Sequence, residues 1–144
     1  MRIVLDTNSL LVSIGRKSKY RPIFDAFLNG EITLLISNDI LSEYVEIIEE
    51  RTNEIVANNI SDLLMSSPDV EKVSIYFKWS MIEKDADDNK FVDCALNGRA
   101  NYLVTDDKHF KVLNKIGFPP IGIIRAGEFL KKLKEIVKEG DVEK

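Results

Sequence analysis

Four short runs of almost uninterrupted apolar residues punctuate the chain: RIVLD (Arg2–Asp6), TLLIS (Thr33–Ser37), YLVT (Tyr102–Thr105) and IGII (Ile121–Ile124). Each has strand length and is apolar at successive positions rather than alternate ones, the pattern of strands covered on both faces in a parallel sheet flanked by helices. Between them the period lengthens to that of a helix. IFDAFLNG ends in Gly30, a C-terminal cap, and ILSEYVEIIEE sets Ile40, Leu41, Tyr44, Ile47 and Ile48 at helical spacing behind the capping candidates Ser37 to Asp39. Further helices are expected over Glu54–Ser66, Asp69–Trp79, Asp88–Arg99 and Ala126–Lys138, although VSIYF in the second of these has strand composition as well. Pro119 and Pro120 mark the loop entering the last strand. The alternation predicts an α/β fold: a three-layer α/β/α sandwich with a central, mostly parallel sheet of four to five strands and right-handed connections.

A chain of 144 residues, 44% apolar, suits one domain, expected over residues 1–140, with residues 141–144 in the acidic tip GDVEK disordered. No apolar run reaches the length of a membrane span, and MRIVLDTN reads as a strand rather than a leader, so a cytoplasmic protein is expected. Cys94 is alone and sits in an apolar helical pattern, the setting of a buried thiol. A net charge of −4 argues against binding nucleic acid by bulk attraction to phosphate. The basic residues are nevertheless clustered, in RKSKYR (Arg16 to Arg21) and along KKLKEIVKEG near the C-terminus.

Open sheets of this kind bind ligands beyond the carboxyl ends of their strands, and carboxylates collect there. Asp6 ends the first strand, Glu43 lies on the helix after the second, and Thr105, Asp106 and Asp107 end the third. In DADDNKFVDCALN (85–97), Asp88 precedes Phe91 and Val92 by three and four residues and so belongs to the buried side of its helix; Asp93 falls off that side, and Asp85 and Asp87 belong to the preceding loop. Singly, each acid has a plain structural reading as a helix cap or a solvated face. Together, carboxylates about 4 Å apart repel by roughly 4 kcal/mol per pair at an effective dielectric near 20, which calls for a counterion. Lys90 and Lys108 are near in sequence; a divalent ion is the other candidate, and an all-oxygen donor set favours Mg²⁺ or Mn²⁺ over zinc. The one histidine, His109, could contact a phosphate or simply face solvent.

These motifs resemble the PIN-domain nucleases, in particular the PIN-family toxins of prokaryotic toxin–antitoxin systems, over nearly the whole chain. IVLDTN resembles the family's first strand, with a metal-binding aspartate at Asp6 and a supporting polar residue at Asn8; ISNDILSEYVEII resembles the segment holding its glutamate, at Glu43. DADDNKFVDCAL resembles the DxDDNKF segment, at Asp88, and LVTDDKHF the strand-end Thr-x-Asp, at Thr105 and Asp107. Asp106 and Asp93 remain possible additional ligands.

The resemblance implies a PIN-like fold and a ribonuclease in which Asp6, Glu43, Asp88 and Asp107 hold one or two Mg²⁺ or Mn²⁺ ions, about 3.5 to 4 Å apart if both are present. The ions would activate a water and stabilise the leaving 3′ oxygen, giving a 5′ phosphate and a 3′ hydroxyl. Bound ions would also reverse the field of the acidic pocket, with Arg16, Lys17, Lys19 and Arg21, in the loop after the first strand, guiding RNA. A homodimer and a small antitoxin partner are implied. The competing class is a catalytically idle PIN-like scaffold that binds RNA or protein. A haloacid-dehalogenase-type phosphatase would need an aspartate where Asn8 stands, and a receiver domain lacks its acceptor aspartate in TLLISN unless Asp39 serves.

Overall fold

The computed structural model describes residues 1–78, 88–111 and 122–142. In chain order the elements are β1 (Arg2–Leu5), α1 (Thr7–Ile14), α2 (Arg21–Leu28), β2 (Thr33–Ile36), α3 (Asn38–Arg51), α4 (Glu54–Ser66), β3 (Val70–Lys72), α5 (Asn89–Asn97), β4 (Tyr102–Val104), a 3-10 turn (Lys108–Lys111), β5 (Gly122–Ile124) and α6 (Ala126–Val142). The five strands form one sheet in the order β3-β2-β1-β4-β5, every pair parallel, which is the α/β architecture expected. Its centre is apolar on both faces: Ile3, Val4, Leu34, Leu35, Leu103 and Val104 are all buried, as their unbroken apolar runs require. Among the described residues no helix is long and apolar enough to cross a membrane.

Strand order fixes where a site can form. From β1 the chain moves outward through β2 to β3, then returns past β1 to β4 and β5. The direction of winding therefore reverses between β1 and β4, and the crevice beyond their carboxyl ends is the switch point at which open α/β sheets bind ligands. Asp6 follows β1 and Thr105 follows β4, so the neighbouring strands β1 and β4 bring the two together across 99 positions of sequence.

Helix boundaries follow their caps. Asp6, Ser37 and Asn53 each accept a backbone N–H from the third residue beyond, at Ser9, Ile40 and Val56, and open α1, α3 and α4. Gly30, at φ 75°, closes α2: its N–H donates to Phe27 and that of Glu31 to Ala26, a left-handed termination that favours glycine. Gly98 serves packing instead, since a Cβ there would lie 2.9 Å from both Leu35 and Val73, so its absence lets α5 close on β2.

Three expectations are corrected. The segment Asp69–Trp79, expected as a helix, opens with β3 and is not helical through residue 78; Trp79 lies outside the described residues. Beyond β3, Val73 and Ile75 are half-buried while Ser74 and Tyr76 are exposed, the two-residue alternation of extended chain. Second, the basic cluster does not follow β1 directly, because α1 intervenes; Gly15–Tyr20 joins α1 to α2, and Arg21 is the first residue of α2. Third, α6 continues beyond Lys138 to Val142. Pro119 and Pro120, with Asp85 and Asp87, lie outside the described residues.

Candidate active site

Asp6 is 7% exposed, and both its oxygens are engaged: Oδ1 accepts from Ser9 N at 2.7 Å and Oδ2 from the Thr105 hydroxyl. Its own N–H donates to Val104 O, extending the β1–β4 ladder by one bond. Burial raises its carboxyl above the ordinary aspartate value, the hydrogen bonds from Thr105 and Ser9 oppose the rise, and the charge of Asp106 adds to it. Among the described residues no cation lies within ion-pairing distance of Asp6.

Thr105 is the hinge of this end of the site. Buried at 2% exposure, its hydroxyl donates to the Asp6 carboxylate and accepts from the Asp107 backbone N–H at 3.1 Å, so one side chain links Asp6 to the backbone at Asp107. Asp106, adjacent in the chain to both Thr105 and Asp107, is held by the next helix: Oδ1 accepts from Ala126 N at 3.1 Å and lies 3.5 Å from Arg125 Nε, fastening the start of α6 to the end of β4. Asp6, Asn8, Ser9, Val12, Tyr20, Asp106 and Asp107 line an open cleft of about 280 Å³.

The other two acids stand off this cleft. Glu43 reaches from α3 to the start of α1 and α5: Oε2 accepts from the Thr7 hydroxyl, and Oε1 lies 2.7 Å from Lys90 Nζ. Tyr44, buried beside it, donates its hydroxyl to Leu5 O and thereby pins α3 to the end of β1. Asp88 occupies the cap position of α5, half-buried, with Phe91 and Val92 buried at the spacing expected. Lys90 on α5, Glu43, Thr7 beside Asp6, Thr105 and Asp107 therefore form one continuous polar path along the sheet edge, with Asp88 opening the helix that carries Lys90.

Among the described residues, no three acidic, histidine or cysteine side chains lie close enough together to hold an ion as they stand. The donor chemistry nevertheless fits a hard divalent cation at Asp6. Its carboxylate is desolvated and has no positive partner among the described residues, and the Thr105 hydroxyl that donates to it also accepts from the Asp107 backbone N–H.

Asp93 was expected to lie off the buried side of α5, but it is 6% exposed. The reason is that α5 is covered on more than one side: Phe91 to Ala95 are buried consecutively, the helix packs on β1, β2 and β4 and touches α3, and Asn97 clamps the chain at Tyr76 and Phe77 through its side-chain amide. Within that shell burial pushes the Cys94 thiol up to about 12, so it is inert as a nucleophile. Of the basic residues, Arg16, Lys17 and Lys19 are exposed, whereas Arg21 is tied to Asp25 at 2.8 Å and to Ile14 O at 2.6 Å. Thr7 and Tyr20 were assigned no role from the sequence, and Tyr44 only a place on the apolar face of its helix. Only Thr7 carried a signal, as a hydroxyl directly following the strand-end aspartate.

The model of the PIN domain matches residues 2–109, and the chain belongs to the PIN-domain family, whose members are generally nucleases that use divalent metal ions. Among solved structures it is similar to one described as VapBC2 from Rickettsia felis bound to a DNA fragment from their promoter. The similarity has a TM-score of 0.59 at 17% identity, covering 87% of this chain and 98% of that one, and at this identity it speaks to the fold. No curated protein matches the sequence.

Proposed function

We propose that this chain is a metal-dependent endoribonuclease, cytoplasmic, acting as the toxin of a toxin–antitoxin pair. The observation that carries the reading is Asp6: a desolvated carboxylate at the switch point, bridged through Thr105 to Asp107 and facing a cleft. Family membership supports nuclease chemistry, and the resemblance of the DADDNKF and LVTDDKHF segments to PIN-family toxins supports RNA as the substrate. The similar fold of a protein named VapBC2 is in keeping with a small antitoxin partner, and a homodimer is part of the same proposal.

In this reading Asp6, Asp88 and Asp107 are the ligands of Mg²⁺ or Mn²⁺, with Glu43 as the fourth acid of the edge. The bound ion supplies Lewis acidity and a water acidic enough to attack phosphorus near neutral pH. Thr105 holds the Asp6 carboxylate and the backbone of Asp107, so little reorganisation of Asp6 is needed when substrate arrives. Asn8 and Ser9 on the cleft wall offer hydrogen bonds to phosphate oxygens, Tyr20 offers a ring for a base to stack on, and Arg16, Lys17 and Lys19 guide the strand from outside. Arg21 holds α2 to α1 instead. A second reading, an idle scaffold, draws on the absence of three gathered donors among the described residues.

Cleavage of a labelled single-stranded RNA with Mg²⁺, with Mn²⁺ and with EDTA, beside Asp6→Asn and Asp88→Asn, separates the two. Cutting that needs metal and both aspartates is expected. Equal cutting by wild type and variants, or none under any condition, leaves the scaffold reading.

A further inference from the structure

The acidic edge already contains a cation of its own. Lys90 Nζ sits 2.7 Å from Glu43 Oε1, and the other oxygen of Glu43 accepts from Thr7, so both Glu43 oxygens are satisfied by the chain itself. The Lys90 and Glu43 side chains are only 20% and 25% exposed, well below the 50% of Asp25 in the pair with Arg21, so solvent and salt screen this pair less.

Lys90 is also placed against local preference. It is the second residue of α5, where the positive end of the helix dipole disfavours a lysine, and Asp88, two residues earlier, is the kind of residue the position favours. The position makes sense through Glu43, 47 positions away, which the fold brings to it. At the other end of the same path Asp6 is desolvated and has no such cation among the described residues.

Resting on the metal-dependent reading above, we propose that Lys90 fills the second cation position of the site: one divalent ion binds at Asp6, Asp107 and Asp88, and the Lys90 ammonium, held by Glu43, takes the place of a second. A fixed ammonium beside Glu43 repels a second dication and leaves one hydrogen-bonding positive charge to face the substrate phosphate. Lys90 is thus a residue for charge on the phosphate, and Glu43 positions it.

The test is the number of Mn²⁺ ions bound per chain, read by equilibrium dialysis and by the electron paramagnetic resonance of free ion. Wild type and Lys90→Arg are expected to bind one, Lys90→Gln two, and Lys90→Gln combined with Glu43→Gln one again; circular dichroism checks that each variant folds. Two ions in wild type, or one in Lys90→Gln, overturns the role of Lys90 while leaving the metal reading intact. No ion in folded wild type overturns the metal reading and this proposal together.

Discussion

Asp6 and Glu43 carry the same charge on the same edge of one sheet, and the protein treats them in opposite ways. Glu43 is half-buried, paired with Lys90 and hydrogen-bonded by Thr7, whereas Asp6 is nearly excluded from solvent and, among the described residues, receives only neutral donors. The difference lies in what each neighbouring element presents. The start of α5 brings a lysine to Glu43, while the ends of β1 and β4 bring a hydroxyl and a further carboxylate to Asp6. A carboxylate left desolvated and without a cation costs stability, and such costs concentrate at functional sites.

The contrast can be broken most severely at Asp6. Asp6→Asn keeps an acceptor for Ser9 and so keeps the cap of α1, yet RNA cleavage should fall by about 100- to 1000-fold, the several kcal/mol that metal catalysis supplies, in a single-turnover assay. Next, Thr105→Val removes the hydroxyl bridging Asp6 and Asp107; cleavage should fall by about 10- to 100-fold, and Mn²⁺ affinity with it in a titration. Tyr44→Phe, on the other side of the contrast, leaves Leu5 O without its donor and should lower unfolding stability by about 1 to 3 kcal/mol in urea.

The smallest effect is one of pH. Because the Asp6 carboxyl is raised in the folded protein, the native state holds this proton more tightly than the unfolded chain does. Its ionisation therefore lowers stability as pH rises from about pH 4 through the raised value, and the loss persists above it. In EDTA, the melting temperature of wild type relative to Asp6→Asn should be lower at pH 7 than at pH 3. Saturating Mn²⁺ should remove that deficit at pH 7.

The sequence made the middle of the sheet legible because both faces of β1, β2 and β4 are covered, and full burial writes itself as an unbroken apolar run. β3 was hidden for the converse reason: it is a three-residue edge strand whose Glu71 and Lys72 face solvent, with the charged character that protects edges. The position of Asp6 was legible because strand end and switch point coincide. The burial of Asp93 was not, since a single amphipathic stripe cannot describe a helix enclosed on more than one side. The pairing of Lys90 with Glu43 depends on α3 and α5 meeting at one edge of the sheet, a juxtaposition that neither segment encodes alone.

Mn²⁺ binding to wild type, Asp6→Asn and Glu43→Gln tests the division of labour between the two acids most directly. Tight binding in wild type, lost in Asp6→Asn and retained in Glu43→Gln, is the predicted result. Equal loss in both variants would contradict it, and would make Glu43 a ligand on the same footing as Asp6.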